Sequence, residues 1–334
     1  MGSGAPVSPP SSDATPRITV CVSTRNRAHR LTTLVRQLET QTLPHLEFEV
    51  VIVDDGSTDD SWSRLQALAA ETPLQLRCLR NDGRRGAAAG RNVAWRAARA
   101  PLCAFTDDDC LPTPGWLAAI VDEICADHPV LAAGALLPPP GDNALRGPFA
   151  RVVVVVPFNV QWCATANLVV RRCDLEAVGG FDEEGLPTAA EDTDLGLRVQ
   201  AAGSQLRYLP DALVHHPVEI GGFRALWRDH LRYVDLPLVF AKSPWARSRL
   251  LHRGLFWKRN HPRAVAAAIA LLLRRRPLLA ATLAAPWLHE RLCADPAAET
   301  MAERLTTLPG VLLLDLHEIA VMARGSVKHR TLVL

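Results

Sequence analysis

The sequence has little net charge, no close-paired cysteines and no long apolar run, and each absence excludes a class of protein. With 37 Lys and Arg against 35 Asp and Glu, the formal charge of +2 gives no reason to expect a nucleic acid as partner. The eight cysteines include no CxxC pair and mostly lie inside apolar runs, which is typical of buried thiols in a reducing cytoplasm. No run of about 20 apolar residues is present, so no membrane-spanning helix is predicted. What remains is an ordinary globular composition, 48% hydrophobic and 22% charged over 334 residues.

Two segments differ from this ordinary composition. Residues 1–16 are rich in Gly, Pro and Ser and lack the apolar core of a signal peptide, so we interpret them as a disordered leader. The run Ala264–Leu273 is apolar but only about half as long as a spanning helix, and Arg274, Arg275 and Arg276 close it. A buried helix is the ordinary interpretation of this run, and a membrane-surface helix is the alternative.

Short apolar runs alternate with helical patterns over the first third of the chain. Arg17–Thr24 is such a run, and the leucines and valine at 31, 34, 35 and 38 then share one helical face. The runs FEVVIVDD, LQLRCL and PLCAF are followed by similar patterns. Strands alternating with helices of about 10–15 residues predict an α/β fold, with a mostly parallel sheet between helices.

After Pro138 this alternation stops. The segments RVVVVVPF and ATANLVVRR predict strands without long helices between them, and a helix is expected from near Glu191 to Gly203. Two short strands are expected around 206–209 and 212–215. From Gly222 onward the pattern predicts helices.

Polar residues follow three of the predicted strands. The strands end at Ser23-Thr24-Arg25-Asn26, at Asp54-Asp55-Gly56-Ser57 and at Asp107-Asp108-Asp109. Ligands of open α/β sheets bind outside the carboxyl ends of the strands. Three polar ends at one rim therefore favour a binding site over three unrelated loops.

The ordered set strand-STRNR, strand-DDGSTD, GxxxGRN, strand-TDDDxxP, GGFDE, EDTDLGLR and a later His-Pro resembles family 2 glycosyltransferases of the GT-A fold. The resemblance covers roughly Arg17 to Pro217. It implies a GT-A nucleotide-sugar-binding and catalytic domain over residues 17–217. A mainly helical region, residues 218–334, would then form the acceptor side and any contact with a second copy or a membrane surface.

The resemblance also implies an activity and a set of site residues. Family members generally transfer a sugar with inversion from a nucleotide sugar, usually a UDP-sugar, bound with Mn²⁺ or Mg²⁺. Asp192 matches the catalytic base, with Glu191 beside it. Asp109 and Asp107 match the acidic DXD motif and, with His216, would hold the metal, although His215 leaves the register open by one residue. The positions implied to bind the nucleotide sugar are Ser23, Thr24, Arg25, Asn26, Asp54, Asp55, Gly56, Gly86, Arg91, Asn92, Asp107, Asp108 and Asn167.

The chemistry of such a transfer accounts for the three successive aspartates. A nucleoside diphosphate gains negative charge as it leaves, and a hard divalent cation with oxygen ligands can stabilise that charge. In an extended segment Asp107 and Asp109 share one face, and Asp108 points to the other. Cys110 is interpreted as packing, because carboxylates and water suit the expected metal better. A solvated acidic turn is the alternative.

The acceptor must lose a proton as it attacks, and a carboxylate within hydrogen-bond reach could take it. Glu191 and Asp192 open a predicted helix, where the helix dipole stabilises negative charge. Helix capping is the alternative role for both, and Asp194 would be a third acid in the first turn.

Three rival functions remain at the level of the sequence. A nucleotidyltransferase of nucleotide-sugar metabolism would want a Gly-rich basic loop after the first strand, where this chain has Ser-Thr-Arg-Asn-Arg. A non-catalytic nucleotide-sugar-binding protein would be expected to lose the acidic pair, which is intact. A membrane-surface enzyme with a lipid-linked acceptor would dock through the Arg- and Trp-rich region 224–276. The acceptor, whether a small natural product, a glycan or an envelope precursor, is not identified by the sequence.

Overall fold

The computed structural model describes residues 15–124, 130–142, 147–273, 275–293 and 300–334. Most of the expected leader, along with Cys125 and Arg274, therefore lies outside the described residues. The other seven cysteines are free thiols. Four of them are buried, as predicted, Cys78 is half-buried, and Cys173 and Cys293 are exposed.

The first part of the chain alternates strands and helices, as predicted. Its elements are β1 (Ile18–Thr24), α1 (Ala28–Glu39), β2 (Phe48–Asp54), α2 (Ser61–Glu71), β3 (Leu76–Arg80), α3 (Ala87–Ala97), β4 (Leu102–Phe105), β5 (Leu111–Pro112) and α4 (Trp116–Glu123). β1, β2 and β4 are buried along almost their whole length. α1 instead buries one stripe, the leucines and valine expected from its spacing, so helices cover a sheet core.

The middle of the chain completes the sheet and adds the acidic helix. Its elements are β6 (Val130–Leu137), β7 (Ala150–Arg151), β8 (Leu168–Arg171), α5 (Arg172–Val178), α6 (Glu191–Ala201), β9 (Gln205–His215) and β10 (Glu219–Ile220). Short 3₁₀ turns, Val160–Trp162 and Thr165–Asn167, precede β8. Gly203 lies just beyond α6 in the left-handed region (φ +109°), which confirms the predicted end of this helix.

The main sheet has eight strands in the order β3-β2-β1-β4-β8-β6-β9-β5. Strands β3, β2, β1 and β4 run parallel, as do β6 and β9, whereas β8 is antiparallel to both of its neighbours and β5 to β9. The fold is therefore the expected α/β architecture with a mixed sheet. The parallel half brings the carboxyl ends of β1, β2 and β4 to one edge, where the polar segments lie.

Of the strand predictions after Pro138, one was wrong and one needs amending. The valine run 151–158 is not a strand: only Arg151 belongs to β7, and Val155 makes a single bridge to Leu136, beyond the end of the β6–β8 pairing. The two short strands expected at 206–209 and 212–215 are one strand, β9, with a register shift opposite Gly134 and Leu136. Pro210 lies within this shift, where a residue without an N–H is tolerated. β6 itself was not predicted.

The C-terminal region is helical, as expected. Its helices are α7 (Gly222–His230), α8 (Leu236–Lys242), α9 (Arg247–Leu250), α10 (His261–Leu272), α11 (Pro277–Cys293) and α12 (Met301–Lys328). One apolar cluster joins this region to α6, with Leu186, Ala190 and Leu197 packed against Leu236, Val239 and Phe240. Lys242 adds ion pairs to Asp194 (2.7 Å) and Asp182 (2.9 Å). The acidic helix α6 is therefore packed between the sheet and the C-terminal helices.

Of the described helices, α12 alone has the length and apolar composition to cross a membrane, with a mean hydropathy of 1.4. This amends the sequence prediction, which found no such segment. However, α12 also buries two acidic side chains within the fold: Asp315 accepts from Trp287 (2.8 Å) and Arg291 (2.8 Å), and Glu318 pairs with Lys258 (2.7 Å). Polar contacts of this kind are expected of a helix packed on protein.

Candidate active site

The polar ends of β1 and β4 meet, and a hydrogen bond between them fixes the direction of Asp108. Thr24 Oγ1 donates to Asp108 Oδ2 at 2.6 Å. Asp107 and Asp109 point the other way and lie together with His216. The three carboxylates are divided as predicted, but the backbone is a turn closed by the Cys110 N–H on Asp107 O (3.2 Å), not the extended segment that was expected. Burial raises the pKa of Asp108 to about 6, the charges of Asp109 and Asp107 add to this, and the Thr24 hydrogen bond opposes it.

Asp109 lies between a cationic side chain and a histidine. Arg30 Nη1 donates to Asp109 Oδ2 at 2.6 Å, and Arg27 Nη1 is 3.9 Å from the same oxygen. His216 Nε2 lies 3.7 Å from the other oxygen, Oδ1, which is buried without a hydrogen-bond partner among the described residues. An unsatisfied buried carboxylate oxygen calls for a further positive partner.

The residues around this oxygen fit a divalent cation. One ligand atom from each of Asp107, Asp109, Cys110 and His216 lies within 4.8 Å of the others. His216 Nδ1 is 3.0 Å from the carbonyl of Pro217, an acceptor that assigns the ring proton to Nδ1 and leaves Nε2 free to ligate. Burial holds the pKa of the Cys110 thiol well above its ordinary value, which agrees with a packing role. His215, in contrast, lies in β9 and its Nδ1 faces Pro138 O at 3.2 Å, so His216 is the histidine beside the aspartates.

Arg91 connects the aspartates to the acidic helix α6. Its Nη2 donates to Asp107 Oδ1 and its Nη1 to Glu191 Oε1, each at 2.7 Å, and its side chain is only 8% exposed. Burial alone would raise the pKa of Asp107, but Arg91 holds it below the ordinary value. A planar guanidinium with two fixed carboxylate partners sets the spacing between them. Arg91 thereby fixes the end of β4 relative to the start of α6.

The start of α6 presents Asp192 at the rim of the site. Ala190, the residue before the helix, has φ +70°, a backbone conformation that residues other than glycine rarely adopt. Its side chain does not cap the helix. Asp192 Oδ1 accepts the neighbouring Thr193 N–H at 2.7 Å and lies 3.4 Å from the Thr193 hydroxyl. Burial and the adjacent Glu191 raise the pKa of Asp192 to about 7, although Thr193 and Arg91 oppose them. Asp192 can therefore exchange a proton near neutral pH.

The ends of β1 and β2 are joined by hydrogen bonds. Asn26 lies in the left-handed region (φ 54°), its N–H donates to Ser57 Oγ at 2.9 Å, and its Oδ1 accepts the Thr58 N–H at 2.9 Å. Asp54 is fully buried, accepts from Ser57 and pairs with Arg80 Nε at 3.0 Å. Asn26 and Asp54 thus fix the shape of this rim.

Asp55 holds the glycine-containing loop before α3. It accepts from Asn81 Nδ2 (2.8 Å) and from the N–H groups of Arg85 (2.9 Å) and Gly86 (2.8 Å). Gly56 (φ +67°) faces the backbone of Gly83, and a Cβ there would lie 2.4 Å from Gly83 C. The two loops therefore approach each other at a position that only glycine fits.

Ser23 and Arg25 complete the β1 end of the rim. α3 packs directly on β1, since a Cβ at Gly90 would lie 2.1 Å from Ser23 Oγ. Arg25 Nε is buried without a hydrogen-bond partner among the described residues. This second unpaired polar atom, like that of Asp109, lies in a segment expected to bind a ligand.

Asn92 and Asn167, both expected to contact the nucleotide sugar, have their hydrogen-bonding groups occupied by protein. Asn92 donates to Phe181 O (2.9 Å) and Glu183 (2.7 Å) and accepts the Phe181 N–H, so it holds the Gly-Gly-Phe-Asp-Glu segment. Asn167 is 1% exposed, donates to the carbonyls of Ala135 and Ala212 at 2.8 Å, and accepts from Trp116 Nε1 at 2.9 Å. These contacts place Asn167 in the core between β6, β8 and β9, not at the rim.

Replacing Asn167 with alanine should therefore lower stability more than it changes binding. The substitution leaves two buried carbonyls and one indole N–H without partners, at a cost of about 3 kcal/mol or more. Denaturant unfolding measures this loss of stability. Nucleotide titration without denaturant, at a temperature at which the variant is folded, measures its affinity. Asn167→Asp, which keeps an acceptor for Trp116 but loses both donors, should be destabilised as well. A normal unfolding curve with lost nucleotide affinity would contradict the structural role.

A cavity of about 390 Å³ opens beside Asp109 and His216. Arg30 lines one side, and residues 217–221 line the other. Sequence reasoning did not select Arg30, Arg80 or residues 217–221. Arg30 stands in the first turn of α1, and only the fold brings it beside Asp109, so no local pattern in the sequence marks it.

The comparisons with known proteins agree with this architecture. A mannosyltransferase from Pyrobaculum calidifontis, solved in complex with GDP-Man and Mn²⁺, superposes with a TM-score of 0.58 and 24% identity, covering 96% of this chain and 89% of that one. Likeness at this identity shows the fold, and the fold is that of the GT-A class of glycosyltransferases.

Two curated relatives match part of the chain. Pre-mycofactocin glycosyltransferase of Mycobacterium tuberculosis is 32% identical over 62% of this chain and 44% of its own length. Validoxylamine A glucosyltransferase of Streptomyces hygroscopicus subsp. jinggangensis is 29% identical over 56% of this chain and 52% of its own length. This chain thus spans about half the length of these relatives.

Two family models match successive parts of the chain, "Glycosyl transferase family 2" over residues 19–162 and "Glycosyl transferase family group 2" over residues 144–289. The chain belongs to glycosyl transferase family 2.

Proposed function

We propose that this chain is a metal-dependent, inverting glycosyltransferase that moves a sugar from a nucleotide-sugar donor to a hydroxyl acceptor. One observation carries the proposal above the others. Arg91 bridges Asp107 at the acidic strand end to Glu191 beside Asp192, so a cation-binding cluster and a titratable carboxylate face one rim. Leaving-group stabilisation and proton removal need these two features close together.

The metal end would be formed by Asp109, Asp107 and His216. Mn²⁺ or Mg²⁺ bound there would stabilise negative charge on the leaving diphosphate. Asp109 Oδ1 supports this role because it is buried without a partner among the described residues. Thr24 would keep Asp108 turned away, and Arg25, Arg27 and Arg30 would add positive charge along the phosphates.

The nucleotide would lie across the ends of β1 and β2. Ser23 and Arg25 would contact it from the first loop, which Asn26 shapes, and the backbones at Gly56 and Gly86, both with positive φ, would lie beside it. Asp54 and Asp55 are occupied by protein partners, so we assign them to shaping these loops, and Asn92 and Asn167 to holding the segments behind them.

At the attacking end, Asp192 would accept the proton of the acceptor hydroxyl as the new glycosidic bond forms. Glu191 would orient Arg91 and keep the pKa of Asp192 high through its adjacent charge. The carboxylate and the leaving diphosphate would lie on opposite sides of the anomeric carbon, which gives inversion in a single displacement.

The relatives support a donor and acceptor class. They are named as a pre-mycofactocin glycosyltransferase and a validoxylamine A glucosyltransferase, and neither name denotes a polymer synthase. On that likeness we propose a natural product as acceptor. Because the family resemblance implies a UDP-sugar and the mannosyltransferase of similar fold holds GDP-Man, we propose a UDP- or GDP-sugar as donor. The free thiols in the described part of the chain are compatible with a cytoplasmic reaction.

Calorimetric titration of UDP, GDP and dTDP, each with Mn²⁺ and again with EDTA, tests the proposal. We expect one nucleotide to bind with Mn²⁺ and to lose most of its affinity with EDTA. Proton NMR of the product from the matching nucleotide sugar then reports the anomeric configuration. If none of these nucleotides binds with or without metal, the proposal does not hold.

The rate should also depend on pH through Asp192. Its pKa of about 7 means that the carboxylate is largely protonated at pH 6 and largely ionised at pH 8. Since only the ionised form accepts a proton, kcat/KM should fall about tenfold for each pH unit below 7. A rate profile between pH 5.5 and 8.5 at saturating metal measures this. The residual activity of Asp192→Asn should not fall in this way at low pH. This result would assign the pH dependence to Asp192 and not to Asp108, whose pKa is also raised, to about 6.

A further inference from the structure

Helices α10 and α11 form a hairpin whose far end is apolar and exposed. α10 buries His261 and three alanines on one face, whereas α11 buries only Trp287 among its 17 residues. At the turn between them four leucines, here called the leucine tip, are 43–85% exposed: Leu271, Leu272, Leu278 and Leu279. Several large apolar side chains exposed together usually mark a contact surface.

The segment that contains the leucine tip carries charge of a single sign. Residues 236–289 contain ten Lys and Arg and no Asp or Glu, in a chain whose net charge is only +2. Arg275 and Arg276 are exposed in the turn itself, and no described carboxylate pairs with either. Earlier in the chain, burial lowers the pKa of His252, and the positive charges of Arg253, Arg259 and Arg263 lower it further.

The other end of the hairpin is fixed to the fold. Arg263 of α10 pairs with Glu290 of α11 at 2.9 Å. Asp315 of α12 accepts from Arg291 and from Trp287, which is buried. The hairpin is therefore held at its base, and the leucine tip with its arginines projects from it.

We propose that the leucine tip, with Arg275 and Arg276, docks this chain on an anionic membrane surface. Exposed leucines would enter the acyl boundary while the arginines pair with lipid phosphates, as in interfacial helices. A nucleic acid would match the arginines but offers no apolar phase for the leucines. A second copy of the chain would match the leucines but would bring two arginine clusters together. The surface lies where the sequence suggested a membrane-surface helix, but it is the turn, not the whole of residues 224–276, that carries it.

Cosedimentation of the full chain with vesicles tests the docking. Vesicles of phosphatidylcholine with about 30% phosphatidylglycerol should bind the protein at low salt, and pure phosphatidylcholine vesicles should bind it weakly. Arg275→Gln/Arg276→Gln should weaken partitioning into the anionic vesicles about thirtyfold. Leu272→Ser/Leu278→Ser, the two most exposed leucines, should weaken it about tenfold or more. As a control, Leu46→Ser changes a leucine that is 51% exposed but lies between α1 and β2, outside the C-terminal region. This variant should bind like the wild type.

The outcomes separate membrane docking from the rival partners. No binding to anionic vesicles, or binding that the tip variants do not reduce, would overturn the proposal. So would light scattering that shows a dimer lost in Leu272→Ser/Leu278→Ser, or DNA binding that competes fully with vesicles. Asp192→Asn should dock normally, because the proposal does not depend on catalysis. Failure of docking therefore leaves the proposed transferase activity untouched, and failure of transfer leaves docking untouched.

Discussion

Replacing Asp192 with asparagine should lower the rate of sugar transfer about a thousandfold and leave nucleotide affinity within about twofold of the wild type. Asparagine has nearly the same shape, but it cannot accept the acceptor's proton. Arg91, Glu191 and the cluster of Asp107, Asp109 and His216 stay in place, so the donor should bind as before. Stopped-time assays and calorimetry on the same preparation measure the two quantities.

The folded state of this variant can be checked independently. Because burial raises the pKa of Asp192 in the fold, ionising it at pH 8 opposes folding, and that cost is absent in the unfolded chain. Asp192→Asn should therefore melt at the same temperature as the wild type or higher at pH 8. Asp122→Asn, on an exposed position of α4, serves as the matched control and should transfer normally. Transfer by Asp192→Asn at near the wild-type rate would remove Asp192 from the role of base.

Replacing Asp109 with alanine should remove metal-dependent nucleotide binding. Changes to residues that only support a metal ligand cost about ten- to a hundredfold in affinity, so loss of a direct ligand should cost more. Mn²⁺ electron paramagnetic resonance without nucleotide measures the affinity directly, and calorimetry with UDP or GDP measures the coupled effect. A normal Mn²⁺ affinity in Asp109→Ala would place the metal elsewhere.

Arg30→Ala tests the same metal site in the opposite direction. Arg30 occupies Asp109 Oδ2 at 2.6 Å and so competes with a cation for the same carboxylate. Without Arg30, we expect Mn²⁺ to bind about fivefold more tightly in the absence of nucleotide, because a partly exposed pair of this kind contributes about 1 kcal/mol. Opposite effects of Arg30→Ala and Asp109→Ala on one Mn²⁺ measurement would be hard to obtain from general destabilisation.

The sequence predicts the first half of the fold well because each strand there is a contiguous apolar run followed by a helix of clear periodicity. β6 was not predicted because Val130–Leu137 is rich in alanine and contains a glycine, which weakens the local preference for a strand. In addition, it pairs only with β8 and β9, which lie far from it in sequence. The valine run after it has a strong β signal, yet beyond Arg151 it makes only the bridge between Val155 and Leu136. In both cases the local β propensity does not decide which segment pairs with which strand.

In the candidate site, too, some features follow from the local sequence and others depend on the tertiary fold. Asp107 and Asp109 lie apart from Asp108 as predicted, but the prediction assumed an extended segment and the structure has a turn there, so the agreement comes from the contacts with Thr24 and His216 and not from strand alternation. Asn167 looked like a ligand residue, yet its amide joins three elements that are far apart in sequence. Arg30 had no local signal because its partner lies 79 residues away. Contacts of that kind are set by tertiary packing, so no local pattern predicts them.

The packing of α6 has a consequence for how the chain can be divided. Leu186, Ala190 and Leu197 share their apolar cluster with α8, and Asp194 is neutralised by Lys242 of the same helix as well as by Arg198. A chain cut after residue 217 would expose that cluster and leave Asp194 with one partner fewer. The strained turn at Ala190 would lose its support, and Asp192 would lose its fixed position. The boundary that the motifs suggest is thus a boundary of sequence signatures, and the smallest active unit should extend at least through Lys242.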